Sequence, residues 1–399
     1  MKIGIIREGK VPPDARVPLT PAQCRHLLDH FPLELVVQPS PIRCFSDTEY
    51  LEAGIPMSAD VSDCDVLLGV KEVPIANLIP GKTYLFFSHT IKKQPANKKL
   101  LQEIIRRNIR IIDYELLTDD LGRRVIAFGK FAGMVGAHNA LYTYGEQSGL
   151  FHLKRMFTYR EYADVKQDYQ SLVLPAVKIV LSGTGRVAQG AAQVLLDMGI
   201  KQVDPEAFLH QTWEEAVFTQ LSNRHYVARK GGKPFEGKDF YAHPEDFCNA
   251  FLPYASVADI LIHGIFWDTK APAFFTLEDM RAPDFRIRVI GDITCDLAPE
   301  TSIPATIKAS TIQDPVFGFD PQTGEEVPAY TPGAIDMMTI DNLPSELPRD
   351  ASIAFGEQFI RFIILELLKA SSPMISRATI AAEGDLCARF EYLRDYVTE

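Results

Sequence analysis

Three side chains able to transfer protons come close to the ends of short apolar runs: Lys71, His89 and Glu115. Each has an ordinary alternative, a structural histidine or an exposed ion pair such as Lys71 with Glu72. In an open parallel sheet, however, ligands bind at the carboxyl ends of the strands. A lysine, a histidine and carboxylates meeting there would form an acid–base group. We therefore expect Lys71 and His89 to face one another across a cleft between two domains, on the carboxyl side of the first sheet.

A second feature is the pattern GxGxxA at residues 183–188, which follows the apolar run 177–181 and precedes a helical run over 190–198. In such a loop the first glycine, Gly183, permits a tight turn, and the second, Gly185, lets the backbone approach a pyrophosphate. The small third residue lets helix and strand pack closely. The pattern predicts a dinucleotide-binding loop at the N-terminus of a helix.

The elements that must position these residues follow an alternating rhythm of short apolar runs and helical stretches, which is typical of parallel sheets covered by helices. We expect two Rossmann-like α/β domains with an active-site cleft between them. The first would comprise residues 1–129 and 341–399, and the second, dinucleotide-binding domain residues 130–340. Strands are predicted at 1–6, 33–38, 66–70, 84–88, 109–114, 177–181, 260–263 and 286–291, and helices from Thr20-Pro21 and over 98–108 and 351–369.

Composition excludes several classes of protein. The chain has 399 residues, of which 46% are hydrophobic and 23% charged, as in ordinary globular proteins. Its net charge of −11 argues against a nucleic-acid partner. No apolar run is long enough for a membrane helix, and residues 1–8 resemble a first strand and not a signal peptide. We expect a cytoplasmic protein with no membrane partner.

The six cysteines form no CxxC pair and no cluster with zinc-like spacing. Free thiols and no metal are therefore expected.

Taken together, the motifs resemble lysine-forming saccharopine dehydrogenase and the lysine–ketoglutarate reductase domain of the bifunctional lysine-degradation enzyme. More distantly they resemble alanine dehydrogenase and nicotinamide nucleotide transhydrogenase. The matching segments keep their order over almost the whole chain, which makes the resemblance more specific than any one motif. They are ARVPLTP at 15–21, GVKE at 69–72, FFSHT at 86–90, DYE at 113–115, GRR at 122–124, AFGKFAG at 127–133, GDITCD at 291–296 and IDNLPSELP at 340–348.

The resemblance implies reversible conversion of saccharopine, NAD(P)+ and water into lysine, 2-oxoglutarate and NAD(P)H. It assigns Lys71 as base and His89 as acid, supported by Glu72 and Glu115. It implies substrate contacts from Arg16, Gln94, Arg124, Phe128, Thr294, Cys295 and Asp296. It implies dinucleotide contacts from Arg123, Gly185, Arg186, Ile293, Ile340, Asp341, Asn342 and Leu343. Burial and nearby cations would lower the pKa of Lys71, whereas Glu72 and Glu115 would raise it. The sequence leaves the net direction open.

Cofactor choice depends on the residue that ends the second strand of the dinucleotide-binding domain, which is acidic in NAD enzymes. Asp204 has about the right spacing from Gly183, whereas a gapless comparison with fungal NAD enzymes places Leu209 there. Pro205 favours an extended Asp204, as at a strand end. On that ground we expect NAD. NADP is the alternative if a basic residue such as Arg224 or Arg229 reaches the ribose phosphate.

Two other functions stay open. One is an amino-acid or opine-type dehydrogenase with a different amine or keto acid, such as a protein similar to alanine dehydrogenase. The other is a nucleotide-binding regulator without catalysis, against which the joint presence of Lys71, His89, Arg16 and Arg124 argues. The expected partners are small molecules, in a monomer or a homodimer.

Overall fold

The computed structural model describes residues 1–398, which fall into two compact units. Unit 1 consists of Met1–Phe128 together with the chain from Pro348 onward, and unit 2 is Gly129–Leu347. Unit 2 is therefore a continuous segment inserted into unit 1.

The strands are short, and most are buried. In chain order they are β1 (Lys2–Ile5), β2 (Glu34–Val37), β3 (Val66–Leu68), β4 (Thr83–Phe86), β5 (Arg110–Asp113), β6 (Lys178–Ser182), β7 (Lys201–Gln202), β8 (Val217–Leu221), β9 (Val227–Arg229), β10 (Phe247–Asn249), β11 (Ile260–His263), β12 (Val289–Asp292), β13 (Val316–Asp320), β14 (Glu325–Val327), β15 (Ile335–Met338), β16 (Thr379–Ala382) and β17 (Asp385–Leu386).

The α-helices vary from one turn to five turns. They are α1 (Pro21–His30), α2 (Asp47–Glu52), α3 (Lys98–Arg106), α4 (Gly129–Ser148), α5 (Tyr162–Tyr169), α6 (Arg186–Asp197), α7 (Pro205–His210), α8 (Asn223–Tyr226), α9 (Gly237–Ala242), α10 (Leu252–Ala255), α11 (Leu277–Arg281), α12 (Pro348–Phe362), α13 (Ile364–Leu368), α14 (Pro373–Ala378) and α15 (Arg394–Thr398).

Unit 1 is built on a seven-stranded sheet with the order β17-β16-β5-β4-β3-β1-β2. Strands β1 to β5 are parallel, and β16 and β17 join antiparallel at one edge. Helix α1 begins as the sequence predicts, because the Thr20 side chain accepts the Gln23 N–H and Pro21 occupies the first turn. Helix α3 buries Leu100, Leu101 and Ile104 against this sheet.

Unit 2 is built on an eight-stranded sheet with the order β14-β13-β15-β12-β11-β6-β8-β7. Six neighbouring strands, β7, β8, β6, β11, β12 and β15, are parallel, and β13 and β14 extend one edge antiparallel. Strands β9 and β10 form a separate antiparallel pair. The two largely parallel sheets confirm the predicted α/β class.

Close glycine contacts explain the small-residue segment that begins unit 2. A Cβ atom on Gly133 of α4 would overlap the Val187 carbonyl of α6, and one on Gly190 of α6 would overlap the Lys130 carbonyl of α4. Only glycine at both positions lets the two helix backbones approach this closely. Helix α6, which follows the GxGxxA loop, is thereby held against α4.

Two boundaries differ from those expected from the sequence, and one helix was not expected. The boundary expected after residue 340 lies at Leu347, because Glu346 is held inside unit 2 by Asn139 (2.8 Å) and Arg155 (3.0 Å). The helix predicted over 351–369 is two helices, α12 and α13, divided at Ile363. Helix α5 lies within 158–171, where the sequence shows no clear apolar period.

Candidate active site

Lys71, His89 and Glu115 each follow one of three neighbouring parallel strands, β3, β4 and β5. The carboxyl ends of these strands share one edge of the sheet, so the three residues come together as the apolar runs indicate. All three belong to unit 1. The two residues expected as an acid–base pair thus lie in the same unit, which corresponds to the first of the two expected domains.

Lys71 is half-buried, and its surroundings favour the neutral amine. Burial lowers the pKa of Lys71 to about 8, helped by the positive charges of Arg16 and Lys10. The charges of Glu72 and Asp14 oppose the shift without reversing it. The direction that the sequence left open is therefore downward, and the neutral amine is far more populated near neutral pH than in an ordinary lysine.

His89 presents its imidazole beside Glu72, with Nε2 3.9 Å from Oε1 of that carboxylate. Burial lowers the pKa of His89 below its usual value, Glu72 opposes this, and Lys71 adds to it. Burial would raise the pKa of Glu72, but His89 and Lys10 outweigh it and lower that pKa. Glu72 is therefore ionised, and its charge acts on both members of the pair.

The backbone of His89 adopts a left-handed conformation, with φ of +52°. A non-glycine residue there costs of order 1–3 kcal/mol and persists only where neighbouring contacts impose it. Ser88 supplies such contacts, because its N–H (2.9 Å) and hydroxyl (2.5 Å) both donate to the buried Asp113 carboxylate. Burial raises the pKa of Asp113 to about 6. Asp113 was not singled out as a site residue from the sequence.

A second carboxylate that the sequence reasoning missed is Glu8, which follows β1. Its two oxygens accept the backbone N–H groups of Val70 (2.6 Å) and Lys71 (2.9 Å). Burial raises the pKa of Glu8 to about 7, and the two N–H donors oppose the shift. No sequence motif marks Glu8, because its partners lie more than sixty residues away.

The two arginines expected to bind substrate differ in exposure. Arg16 is 2% exposed, donates two hydrogen bonds to Asp14 (3.0 and 2.6 Å), and lies 4.3 Å from the centre of the Phe128 ring. Arg124 has a side chain 41% exposed and donates to the Glu115 carboxylate at 3.0 Å. Arg124 is thus tied to a residue that follows β5, at the same sheet edge as Lys71 and His89.

Two other expected site residues lie at the edge of this group. Gln94 precedes a short 3₁₀ helix, and its carbonyl accepts the Tyr396 hydroxyl at 2.5 Å. Arg123, expected to contact the dinucleotide, has a side chain 71% exposed and is paired with Asp119 in unit 1.

In unit 2 the GxGxxA loop has the geometry that its glycines predict. Gly183 has φ of +98°, and a Cβ atom there would lie 2.6 Å from the Gly264 carbonyl oxygen. Gly185 precedes α6, and a Cβ atom on it would meet nothing within 4 Å. The structure thus offers open space beside Gly185 at the N-terminus of a twelve-residue helix, which begins at Arg186. These features fit a pyrophosphate.

A buried histidine forms hydrogen bonds next to this loop. His263 of β11 joins the Ser182 hydroxyl (2.9 Å) to the Ser302 hydroxyl (2.8 Å) through its two ring nitrogens. Burial lowers its pKa to about 3, so the imidazole is neutral. Ser182 immediately precedes Gly183. The sequence gives no spacing signal for the contact between Ser182 and His263, which arises from neighbouring strands.

The remaining expected site residues follow β12 and β15, two neighbouring parallel strands. The Thr294 hydroxyl bonds the Ile265 backbone, and the Cys295 thiol donates to the Thr339 carbonyl at 3.1 Å. Burial raises the pKa of Cys295 to about 12, with the charges of Asp292, Asp341 and Asp296 adding to it. The segments 293–296 and 340–343 thus lie together, and Ile293 and Leu343 both border Gly136 of α4.

Strand β6 lies between β11 and β8. The strand that leads to Asp204 is therefore not a neighbour of β6. Strand β7 has only two residues and lies outside β8, at the edge of the sheet. The Asp204 carboxylate caps α7 by accepting the Glu206 N–H at 2.9 Å. Leu209 lies within α7. The spacing from Gly183 predicts the first strand after α6 beside β6, but the chain reaches that place only after α7.

Among residues 1–398, no group of three or more histidine, cysteine or acidic side chains could hold a metal ion. The six cysteines are free thiols. No helix in the described part of the chain is long and apolar enough to cross a membrane.

Several known proteins are similar in sequence to nearly the whole chain. The saccharopine dehydrogenase [NAD(+), L-lysine-forming] of Emericella nidulans is 30% identical over 379 residues, covering 89% of each chain. The chain belongs to the saccharopine dehydrogenase family. The family member of Yarrowia lipolytica is 27% identical over 391 residues and 94% of each chain.

This saccharopine dehydrogenase family member also resembles part of longer proteins. The mitochondrial alpha-aminoadipic semialdehyde synthase of Bos taurus is 29% identical over 432 residues, which cover 96% of this chain and 46% of the bovine protein. The chain thus spans less than half the length of that relative. Residues 4–135 match the family described as alanine dehydrogenase/PNT, N-terminal domain.

Solved structures with low sequence identity share the fold of this saccharopine dehydrogenase family member. An L-alanine dehydrogenase matches with a TM-score of 0.63 and 16% identity, covering all of both chains. A transhydrogenase from Sinorhizobium meliloti matches with a TM-score of 0.62 and 14% identity, covering 97% of this chain and all of the other. These two likenesses confirm the Rossmann-like architecture.

Proposed function

We propose that the protein catalyses the reversible conversion of saccharopine and water into L-lysine and 2-oxoglutarate with a nicotinamide dinucleotide. The observation that carries the proposal is the pairing of Lys71, whose pKa is lowered to about 8, with His89 at one edge of the unit 1 sheet. Membership of the saccharopine dehydrogenase family supports the choice of substrates.

The residues of unit 1 can divide the proton transfers of this reaction. In the oxidative direction the neutral Lys71 amine accepts the proton of the substrate's secondary amine. A nicotinamide dinucleotide held by the residues proposed below would supply the acceptor for the hydride of the adjacent carbon. Water then adds to the C=N bond as His89 accepts one of its protons. His89 donates that proton to the lysine nitrogen, and it accepts the hydroxyl proton as the C–N bond breaks. Two groups with pKa values near the working pH suit these steps.

The arginines fit the carboxylates of the substrate in different ways. Arg124 is partly exposed, and its planar guanidinium can donate two hydrogen bonds to a substrate carboxylate in addition to its contact with Glu115. Arg16 is buried between Asp14 and the Phe128 ring. We propose that Arg124 binds a substrate carboxylate directly, and that Arg16 supplies positive charge next to Lys71. Gln94, Thr294, Cys295 and Asp296 keep the substrate-side roles that the resemblance implies.

Unit 2 supplies the dinucleotide site. The open space at Gly185, the tight turn at Gly183 and the N-terminus of α6 fit the pyrophosphate. The segments that follow β12 and β15 are proposed to bind the nicotinamide end of the dinucleotide. The proposed contacts are Ile293, Ile340, Asp341, Asn342 and Leu343. Arg123, in unit 1, stays a proposed dinucleotide contact.

We propose NADP(H) as the preferred cofactor, in contrast to the expectation from the sequence. The strand next to β6 ends at Leu221, and Ser222, Asn223 and Arg224 follow it. None of these residues is acidic, whereas an NAD site places a carboxylate at this position. Arg224 is exposed and can pair with a ribose 2′-phosphate. Asp204, which follows the outer strand β7, already caps α7.

A matrix of amines and keto acids assayed with NADH and with NADPH tests both proposals. We expect the fastest turnover with lysine, 2-oxoglutarate and NADPH. Faster turnover with another amine would indicate a different amino-acid dehydrogenase. Dinucleotide binding without any turnover would indicate a regulator.

Variants of two residues separate the cofactor assignments. Arg224→Ala should lower kcat/KM for NADPH at least tenfold with little effect on NADH, whereas Asp204→Ala should leave the ratio unchanged. If the ratio of kcat/KM for NADPH to that for NADH changed in Asp204→Ala and not in Arg224→Ala, Asp204 would be the ribose contact and NAD the preferred cofactor.

A further inference from the structure

The Glu8 carboxylate contacts the backbone of Lys71 just beyond the end of β3. Strand β3 ends at Leu68, and the Val70 and Lys71 N–H groups have their partners in the two oxygens of Glu8, at 2.6 and 2.9 Å. One carboxylate thus holds two consecutive peptide groups. Because the two oxygens bond two successive N–H groups, the contact fixes the direction of both peptide groups at once.

Packing on both sides of this contact keeps the two segments together. A Cβ atom on Gly69 would lie 3.4 Å from Oε1 of Glu8 and 3.1 Å from the Ile6 side chain. A Cβ atom on Gly9 would lie 2.7 Å from the Pro74 ring. The chain around Glu8 and the chain around Lys71 therefore pack against each other both before and after Lys71.

The position of the Lys71 amine depends on this arrangement. Its lowered pKa comes from burial and from the charges of Arg16 and Lys10, all of which change steeply with the place of the amine. A shift of the Lys71 backbone by a fraction of an ångström alters that environment and the reach of the amine toward its substrate.

We propose that Glu8 is a positioning residue for Lys71, which it acts on through the backbone N–H groups of Val70 and Lys71. The inference rests on the acid–base role proposed for Lys71. Glu8 would touch neither substrate nor dinucleotide, so its loss should change turnover and the titration of Lys71 while leaving dinucleotide binding intact.

Two variants of Glu8 test the proposal in the full-length protein. Glu8→Gln keeps the side-chain shape but replaces one accepting oxygen by an NH₂ group that opposes a backbone N–H. Glu8→Ala removes both acceptors. The control is Asp259→Asn in unit 2, a buried carboxylate that also accepts a backbone N–H, from Lys178 at 2.9 Å.

Three measurements are compared: kcat and KM, the dinucleotide Kd, and the pH dependence of Lys71 labelling by an amine-directed reagent, read by peptide mass spectrometry. We expect kcat to fall at least tenfold in Glu8→Gln and further in Glu8→Ala. The labelling midpoint of Lys71 should shift from about pH 8 in both. Dinucleotide Kd should stay within twofold. The control should lower thermal stability without moving the Lys71 midpoint.

An unchanged Lys71 midpoint and unchanged kcat in a folded Glu8→Gln protein would overturn the proposal. If Glu8→Ala does not fold, Glu8→Gln carries the test. The labelling experiment needs no substrate, so a moved midpoint in a protein that turns over no amine and keto acid would support the positioning role while rejecting the proposed function. Turnover in the wild type with no effect of Glu8 would reject only the positioning role.

Discussion

The Oε1 atom of Glu72 lies 3.9 Å from the Nε2 atom of His89, and the same carboxylate follows Lys71 directly in the chain. One negative charge therefore stabilises the protonated forms of two groups with opposite roles. The charge of Glu72 raises the pKa of Lys71 and of His89, although burial leaves both below their usual values.

The first prediction concerns this shared charge. Glu72→Gln should lower the pKa of both groups, since each loses an anion that favours its protonated form. Both limbs of the pH–kcat/KM profile should move to lower pH by roughly half a unit, given the strength of a partly screened charge at such a distance. A profile in which only one limb moves would show that Glu72 acts on one group alone.

The second prediction concerns Lys71 as base. Lys71→Met keeps the length of the side chain and removes the amine, so kcat should fall by about 10²- to 10⁴-fold. The limb of the wild-type profile near pH 8 should disappear, because activity in the oxidative direction rises as the Lys71 amine deprotonates. Dinucleotide affinity, measured by fluorescence titration, should stay unchanged. If the variant retained the limb near pH 8, that limb would come from a group other than Lys71.

The third prediction separates two adjacent arginines. Arg124→Lys keeps the charge but loses the planar fork, so the KM for the keto acid should rise about tenfold. Arg123→Lys, next to it and paired with Asp119, should leave that KM unchanged. Steady-state kinetics with the keto acid varied at saturating dinucleotide give both values. Equal KM values in the two variants would remove Arg124 from the carboxylate site.

Arg16 behaves differently in the same experiment, because it is paired with Asp14 inside unit 1. Arg16→Lys should lower the free energy of unfolding, since it loosens a buried ion pair. Denaturant unfolding of this variant and of Arg124→Lys distinguishes the two. A fully stable Arg16→Lys protein would contradict the ion-pair argument.

The fourth prediction concerns the contact between α4 and α6. Gly190→Ala places a methyl group against the Lys130 carbonyl, so the free energy of unfolding should fall by about 1–3 kcal/mol. The matched control is Gly129→Ala at the start of α4, where the added atom meets its nearest neighbour at an ordinary 3.6 Å. Urea denaturation measures both. Equal stabilities would show that the two helices can separate without cost.

The residue types near strand ends predicted the sheet edge on which Lys71 and His89 lie, because apolar runs mark parallel strands and parallel strands end together. Glu8 and Asp113 could not be found in this way. Their partners, Lys71 and Ser88, are brought to them only by neighbouring strands. The direction of the Lys71 pKa likewise required the burial of its amine, which no spacing gives.

The order of strands in unit 2 shows a second limit. The GxGxxA pattern predicted β6, the loop and α6, since local geometry demands those glycines. The neighbour of β6 could not be predicted, because a two-residue strand such as β7 leaves no apolar pattern. The sequence reasoning therefore placed Asp204 at the ribose, whereas the structure brings the end of β8 to the strand position beside β6.

The insertion of unit 2 into unit 1 has a consequence for synthesis on the ribosome. Strand β5 is complete at Asp113, but its outer partner β16 begins only at Thr379. A nascent chain therefore carries an unpaired strand edge, open to pairing with other chains, while the whole of unit 2 is being made. Unit 2 is continuous and can close its own sheet first. The sheet bearing Lys71 and His89 gains β16 and β17 only after unit 2 has been made.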